Sequence, residues 1–243
     1  IMRLKNMSPA DGQRLIAVAR DCGVNFFDNA EVYQTEENFA RAAGITGANR
    51  EQFVIQSKVG YSRMEESGKI YIDNSRSKIL EGTDGILRRL NTDYLDVLLL
   101  HRPDTLLEPE EIAEAFELLH RQGKVRYFGV SNFTASTLRL LEAYLSHPLV
   151  TNQLQFSLLN STMLDAYFNC NRKNELGVHY DDGLLDYCRL HNITIQTWGT
   201  YNHGWFEGPF IDNPTFPRVN AMLEKLARRK EVSKQAVYTA WLL

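Results

Sequence analysis

A chain of 243 residues, 44% hydrophobic and 23% charged, can bury a sizeable core and is no candidate for wholesale disorder. Its net charge of -3, with both signs mixed along the chain, excludes a dedicated basic face for nucleic acid or an anionic membrane. The three cysteines, Cys22, Cys170 and Cys188, are odd in number, widely spaced and without a C-x-x-C, which excludes a disulfide framework and favours a reducing compartment, the cytoplasm. No apolar run is long enough to span a bilayer, and no signal-peptide pattern is visible.

In chain order, "IMRL" at the start reads as the tail of a strand. "SPADGQRLIAVARDCG" is a helix, with Ser8 as N-cap, Pro9 at its first position and Gly23 closing it. A short strand at 24–27 follows and runs into Asp28. A helix at 36–44 precedes "EQFVIQSKVG", a strand apolar at Phe53, Val54 and Ile55 that ends in Lys58. "SRSKILEGTDGILRRLN" is helical, and "DYLDVLLLHRPD" is a strand too continuously apolar to face water on one side. "EPEEIAEAFELLHRQG" is an amphipathic helix, acidic at its start and basic at its end as the helix dipole favours. Strand "VRYFGVSN", helix "TASTLRLLEAYLSH" and strand "VTNQLQF" continue the alternation. After a long irregular stretch come helix "GLLDYCRLHN", strand "ITIQTWG", a loop, and helices at 215–230 and 233–243.

Buried strands alternating with amphipathic helices mean a parallel sheet covered by helices. An open dinucleotide-binding sheet advertises a G-x-G-x-x-G after its first strand, and the chain has neither that nor a P-loop. The competing architecture is a (β/α)8 TIM-type barrel occupying 1–243 as one domain, in which functional residues gather from the C-terminal ends of different strands. The strand ends pass that test: Asp28, Lys58, His101, then Ser131 with Asn132, Gln153 within its strand, and Trp198. Each alone has an ordinary explanation. Asp28 can cap a turn, Lys58 can snorkel at a rim, Ser131 and Asn132 can cap a helix, and Trp198 can simply pack. A barrel that brings all of them to one mouth is the more economical account.

Their chemistry is specific. Tyrosine is a weak acid, with an ordinary pKa of about 10. A neighbouring ammonium favours its phenolate, so Lys58, held by Asp28, is expected to make Tyr33 a better proton donor. His101 is placed to hydrogen-bond a substrate oxygen on which negative charge develops. A carbonyl reduced by hydride needs such a proton donor.

With these residues in view the chain resembles the aldo-keto reductase family. The motifs are "FDNAEVY", "VIQSKVG", "LLLHRPD", "FGVSNF" and "NQLQFS", in the family's order from Gly23 to about Trp198. The resemblance implies a (β/α)8 barrel that uses NADPH, or less often NADH, to reduce aldehydes and ketones without a metal. It implies Tyr33 as proton donor, Lys58 and Asp28 as its tuning pair, and His101 as the residue that orients substrate. It further implies that Ser131, Asn132 and Gln153 hold the nicotinamide carboxamide, that Trp198 stacks on the nicotinamide, and that the backbone at Gly199 and Thr200 lies along the pyrophosphate.

Two departures stand out. Tyr33 runs into Gln34-Thr35-Glu36 where the family commonly has Y-G and a few more residues. The final helix, "AVYTAWLL", has no strand after it, so the barrel is expected to lack its eighth strand and the loop that reads the adenosine 2′-phosphate. The segment 157–183 is a long loop for a compact domain, in which Tyr167, Phe168 and His179 either wall a pocket or sit on the surface. His179 with Asp181 and Asp182 lacks histidine partners at metal-binding spacing, so no metal is expected. Trp205 and Phe206 either cover the cofactor or pack locally. Two other functions fit parts of the pattern. One is a cofactor-binding regulatory subunit, like the potassium-channel beta subunits of the family. The other is an aldolase with Lys58 as Schiff-base amine, which leaves the Ser-Asn and Gln-x-Gln residues without a role. Expected partners are a small carbonyl substrate and the nicotinamide cofactor, with no nucleic acid and no membrane; the oligomeric state is not legible.

Overall fold

The computed structural model describes residues 1–64, 66–169, 172, 175, 183–204 and 207–243. Of the segments singled out in the sequence, His179, Asp181, Asp182, Trp205 and Phe206 lie outside the described residues. The chain divides into two compact units. The first holds Ile1–Asn152 and Asp186–Thr194, the second Gln153–Leu185 and Ile195–Leu243.

The first unit is built on parallel strands β1 (Phe26–Asp28), β2 (Val54–Val59), β5 (Leu95–Leu100) and β6 (Val125–Ser131), with a separate antiparallel pair, β3 (Tyr61–Arg63) and β4 (Ile70–Ile72). Strands β7 (Leu149–Gln155) and β8 (Thr194–Trp198) complete a sheet of order β1-β2-β5-β6-β7-β8 and pass from the first unit into the second. Every residue of β5 is buried, as its unbroken Leu and Val content requires of a strand covered on both faces. Gly129 of β6 is so closely flanked that a Cβ there would lie 2.7 Å from Leu99 of β5 and from Thr151 of β7; no larger residue fits.

Helices α1 (Pro9–Asp21), α2 (Glu36–Ala43), α3 (Arg76–Leu90), α4 (Pro109–Arg121) and α5 (Ala135–Glu142) alternate with the strands. Their starts follow the sequence signals: Ser8, Ser75 and Thr134 each accept a hydrogen bond from a backbone N–H in the first turn. Phe27, Phe39 and Phe53 form one aromatic knot of the core, with ring centroids 5.0 and 5.8 Å from Phe27. Phe116 of α4 stacks on Phe128 of β6 at 4.1 Å.

Three local expectations change. "IMRL" belongs to a 3-10 helix, Met2–Asn6, because only Leu4 is buried and the backbone closes on itself from Leu4 N–H to Ile1 O and from Met7 N–H to Leu4 O. The strand expected at 24–27 is Phe26–Asp28, so the carboxylate lies in the strand, opposite Gln56. The β3–β4 pair has no clear alternation in "YSRMEESGKIYI" and is visible only in three dimensions.

At the N-terminal ends of β2, β5 and β6 sits a buried ionic knot. The Arg50 guanidinium donates to Asp96 Oδ2 (2.8 Å), Phe53 O (2.6 Å), Tyr94 O (2.9 Å) and Thr92 Oγ1 (2.8 Å). Asp96 also accepts from Ile55 N–H at 2.9 Å and Arg126 at 2.9 Å. The Tyr94 ring lies 3.9 Å from the Arg50 guanidinium and 4.1 Å from that of Arg126.

The second unit contains α6 (Thr162–Phe168), α8 (Pro217–Lys230) and α9 (Lys234–Leu242); α7 (Leu184–Leu190) begins in it and continues into the first. Its core joins Phe210, Ile211, Leu223 and Tyr238. The Tyr238 hydroxyl accepts from Leu158 N–H at 3.2 Å and donates to Thr200 O. Part of the long loop 157–183 is therefore helix α6 rather than irregular chain.

Asp96→Ala is expected to lower the unfolding free energy by about 3 to 5 kcal/mol, because Arg50 stays buried after losing its carboxylate. Urea unfolding of the variant beside the parent measures it; a loss under about 1 kcal/mol would show that the knot does not hold these strand ends.

Candidate active site

The ends of β1, β2 and β5 converge on one buried ammonium. Lys58 has no exposed side-chain surface. Its Nζ donates to Asp28 Oδ1 (2.6 Å), Asp28 Oδ2 (2.7 Å) and Asn29 O (2.8 Å). An ammonium has three N–H donors, and all three are used. Gln56 supports the carboxylate through Nε2 to Asp28 Oδ1 at 2.6 Å. The β1–β2 register makes this arrangement possible by setting Asp28 opposite Gln56, two residues before Lys58. A lysine so enclosed and so fully paired is poorly suited to attack a carbonyl, which removes the support for a Schiff-base aldolase.

Tyr33 closes a one-turn 3-10 helix, Glu31–Tyr33, and Gln34 follows in the left-handed region at φ 56°. This sharp reversal joins Tyr33 directly to α2 through Thr35, accounting for the short spacing seen in the sequence. Lys58 Nζ stands 5.2 Å from the Tyr33 ring centroid, and the Tyr33 and His101 rings meet edge to face at 5.8 Å.

The electrostatics differ from the sequence expectation in one respect. Burial, with Asp28 and Tyr61 adding to it, pushes the Tyr33 hydroxyl well above the ordinary tyrosine value; Arg102 opposes them. Lys58 is too tightly matched by Asp28 to reverse that direction: an ion pair at contact has a field that falls off faster than a lone charge's. Burial also lowers the Lys58 ammonium, against the pull of Asp28. His101 is pushed down to about 3 by burial, then by the charges of Lys58 and Arg102. At neutral pH Tyr33 therefore keeps its proton, and His101 is a neutral imidazole with one N–H.

Ser131 is buried at the end of β6, and Asn132 follows with φ 64°. Asn132 Nδ2 lies 2.8 Å from Ser131 Oγ and 3.4 Å from His101 O, so both residues belong to the same cluster of the first unit. In the second unit, Gln153 Nε2 donates to Gln196 Oε1 at 3.1 Å. Trp198 ends β8, its carbonyl accepting from Phe156 N–H at 3.2 Å, and Gly199 turns with φ 63°. Thr200 is held through its carbonyl by Tyr238. Asp28, Tyr33, Lys58, His101, Ser131 and Asn132 are thus neighbours within the first unit; Gln153, Trp198, Gly199 and Thr200 fall in the second. Tyr167 and Phe168 of α6 are exposed.

Two residues of the cluster escaped the sequence reading. Tyr61, first residue of β3, meets the His101 ring edge to face at 4.8 Å. Arg102, next after His101, donates from Nε to Tyr61 Oη at 3.2 Å. Arg102 stood inside the quoted "LLLHRPD"; Tyr61 carried no signal, since its place depends on the β3–β4 pair. No group of three or more His, Cys, Asp or Glu side chains able to hold a metal ion occurs among the described residues.

Parallel strands separated by helices, with a buried Lys–Asp pair, a tyrosine and a histidine gathered at their C-terminal ends, belong to the (β/α)8-barrel class. The family is the aldo/keto reductase family: its model matches residues 2–243, and the chain belongs to it. A stretch of 178 residues is 40% identical to the uncharacterized oxidoreductase YcsN of Bacillus subtilis, covering 69% of this chain and 59% of that protein. Over 243 residues it is 38% identical to oxidoreductase YdhF of Escherichia coli, covering 98% of this chain and 75% of that one. Among solved structures it resembles the thermostable aldo-keto reductase Tm1743, with a TM-score of 0.72, 25% identity, and 96% of this chain and 73% of that one covered. The barrel fold expected from the sequence is the fold of these neighbours.

His101 yields a pH prediction. Its folded value of about 3 lies below its ordinary 6.5, so the unfolded chain takes up the proton first as pH falls. The stability it contributes is complete above 6.5 and is lost as pH falls toward 3. His101→Gln should therefore lose unfolding free energy less steeply between those limits than the parent in urea titrations. Parallel curves would assign the acid sensitivity to other groups.

Proposed function

We propose that the protein reduces aldehydes or ketones to alcohols with a nicotinamide cofactor, NADPH by preference and NADH as the alternative, and that Tyr33 gives the proton. The observation that carries this reading is the buried Lys58, saturated by Asp28 and Asn29, beside the Tyr33 and His101 rings.

When bound, the reduced nicotinamide supplies the hydride that adds to the carbonyl carbon. The chain's own residues do the rest. His101 offers an N–H to the carbonyl oxygen and fixes its direction toward Tyr33. The Tyr33 hydroxyl donates its proton to that oxygen as negative charge develops there. The phenolate left behind faces the Arg102 charge, while Asp28 and Asn29 hold the Lys58 ammonium in place. Tyr33 carries its proton at neutral pH, as its ordinary value of about 10 already ensures.

The donor set also suits the cofactor. Ser131 and Asn132 in the first unit, and Gln153 in the second, are each of a type that can hydrogen-bond a nicotinamide carboxamide. Trp198 is the ring proposed to cover the nicotinamide, and the Gly199–Thr200 backbone the segment proposed to follow the pyrophosphate. No helix among the described residues is long and apolar enough to cross a membrane. The cytoplasm is the proposed compartment, supported by the free thiols of Cys22 and Cys188.

The test is oxidation of NADPH, and separately NADH, with aromatic aldehydes, dicarbonyls and ketones, run with Tyr33→Phe. This variant keeps the ring and removes the proton, and kcat is expected to fall about 100- to 10,000-fold. Cofactor affinity, read from fluorescence on binding, should stay within about threefold, since Tyr33 is not among the proposed cofactor contacts. Cofactor binding without turnover of any substrate by the parent would move the assignment to a cofactor-binding subunit.

A further inference from the structure

Beside the Tyr33–His101 pair stands a group that neither gives the proton nor orients the carbonyl oxygen. Arg102 follows His101 directly, so its backbone is fixed by the end of β5. Its carbonyl accepts from the Asn74 side chain at 2.9 Å, and Asn74 is itself buried. Its Nε donates to Tyr61 Oη at 3.2 Å. The Tyr61 ring packs edge to face on His101 at 4.8 Å.

Tyr61 is set there by the turn at Gly60, whose φ of 109° and whose closeness to Asn74 Oδ1 (2.4 Å from a built Cβ) admit only glycine. The antiparallel partner strand β4 then holds it through the Tyr61–Ile72 register. Arg102 and Tyr61 are each half-buried, with part of their surface open to solvent. A guanidinium stays charged at any working pH and presents several donors. The Tyr61 hydroxyl accepts from Arg102, and its own O–H has no acceptor among the described residues. Charge and hydroxyl proton are thus presented together beside the imidazole. The Arg102 charge reaches both rings of the pair, lowering the pKa of Tyr33 and of His101 alike.

Cationic and phenolic donors held next to each other form a recognition site for a compact oxyanion, which a charge-assisted hydrogen bond holds more strongly than a neutral one. We propose that Arg102, with Tyr61, selects carbonyl substrates that carry an oxyanion, a carboxylate or a phosphate, close to the carbonyl group. The inference rests on the carbonyl-reductase reading and names its substrate class. Arg102 and Tyr61 act here as binding residues: the oxyanion is fixed by Arg102 and the Tyr61 O–H, and the carbonyl end is left to His101 and Tyr33.

The experiment compares kcat/KM for matched substrates that differ in charge: succinic semialdehyde against butanal, and 4-carboxybenzaldehyde and 4-formylphenyl phosphate against methyl 4-formylbenzoate. The anionic member should be preferred about 10- to 100-fold, mostly through KM. Arg102→Gln should bring the ratio toward one, Arg102→Lys should retain part of it, and Tyr61→Phe should reduce it while keeping the ring against His101. A preference confined to the phosphate would keep the inference and identify the oxyanion. Equal turnover of charged and neutral aldehydes by the parent would overturn the inference and leave the reductase reading standing. A preference unchanged in both Arg102→Gln and Tyr61→Phe would overturn the assignment to these residues. Bound cofactor with no turnover of any aldehyde would overturn both readings. Thermal unfolding of each variant confirms that the ratios are read on folded protein; should Arg102→Gln not fold, Tyr61→Phe carries the test.

Discussion

A lysine with no exposed surface cannot stay charged unless its three donors meet acceptors, because removing an ammonium from water costs several kcal/mol even after relaxation. Lys58 imposes that condition on everything around it. Asp28 must end its strand at the height of Lys58, so β1 and β2 must pair with Asp28 opposite Gln56. Asn29 must turn its carbonyl inward immediately after the strand, which sets the path of the chain toward Tyr33. Gln56 must support the carboxylate, and does so at 2.6 Å. One buried charge therefore explains why a short strand ends in an acid and why a tyrosine follows five residues later.

The same pairing explains why Tyr33 is harder, not easier, to deprotonate. A lone ammonium at about 5 Å would favour the phenolate, but this one is capped on two sides by the oxygens of a single carboxylate. Seen from the phenol, the pair is close to neutral, and Asp28 adds to the rise. Burial then decides the direction. Tyr33 holds its proton at neutral pH, as a phenol of ordinary value already does, and the raised value makes that proton harder to give. The cost of ionising it falls within the catalytic step, where the Arg102 charge faces the developing phenolate.

How much of this was legible in the sequence follows from where each residue gets its position. Asp28, Lys58 and His101 sit at or next to the ends of strands whose apolar runs are long enough to read, so their convergence follows once the barrel is chosen. Gly129 allows close strand packing, yet only the 2.7 Å approach to Leu99 and Thr151 shows it. Tyr61 was invisible for a different reason. It owes its place to a two-stranded excursion whose strands have three residues each and no periodic pattern, so nothing local distinguishes it from loop. The 3-10 start of the chain was misread on the same ground: four residues with one buried leucine carry too little pattern to separate strand from turn.

Two buried ion pairs stand at opposite ends of β2, and the contrast between them shows why function collects at one end only. At the N-terminal end, Arg50 and Asp96 use nearly all their hydrogen-bonding capacity on backbone groups, on each other and on Arg126. These contacts tie strand ends and backbone groups to one another, and the knot acts on stability. At the C-terminal end, Lys58 and Asp28 are equally saturated, but they are enclosed with Tyr33 and His101, whose protonation they help to set. The difference comes from geometry: parallel strands point all their C-terminal ends, and the variable connections that follow, the same way. Residues such as Tyr33, Tyr61 and Arg102, which lie on those connections or at their first position, can change the chemistry without touching the knot that holds the strands. An oxyanion-selective Arg102 beside the Tyr33–His101 pair is the kind of specificity such an arrangement can acquire, because the residues that bind and those that fold the chain are different ones.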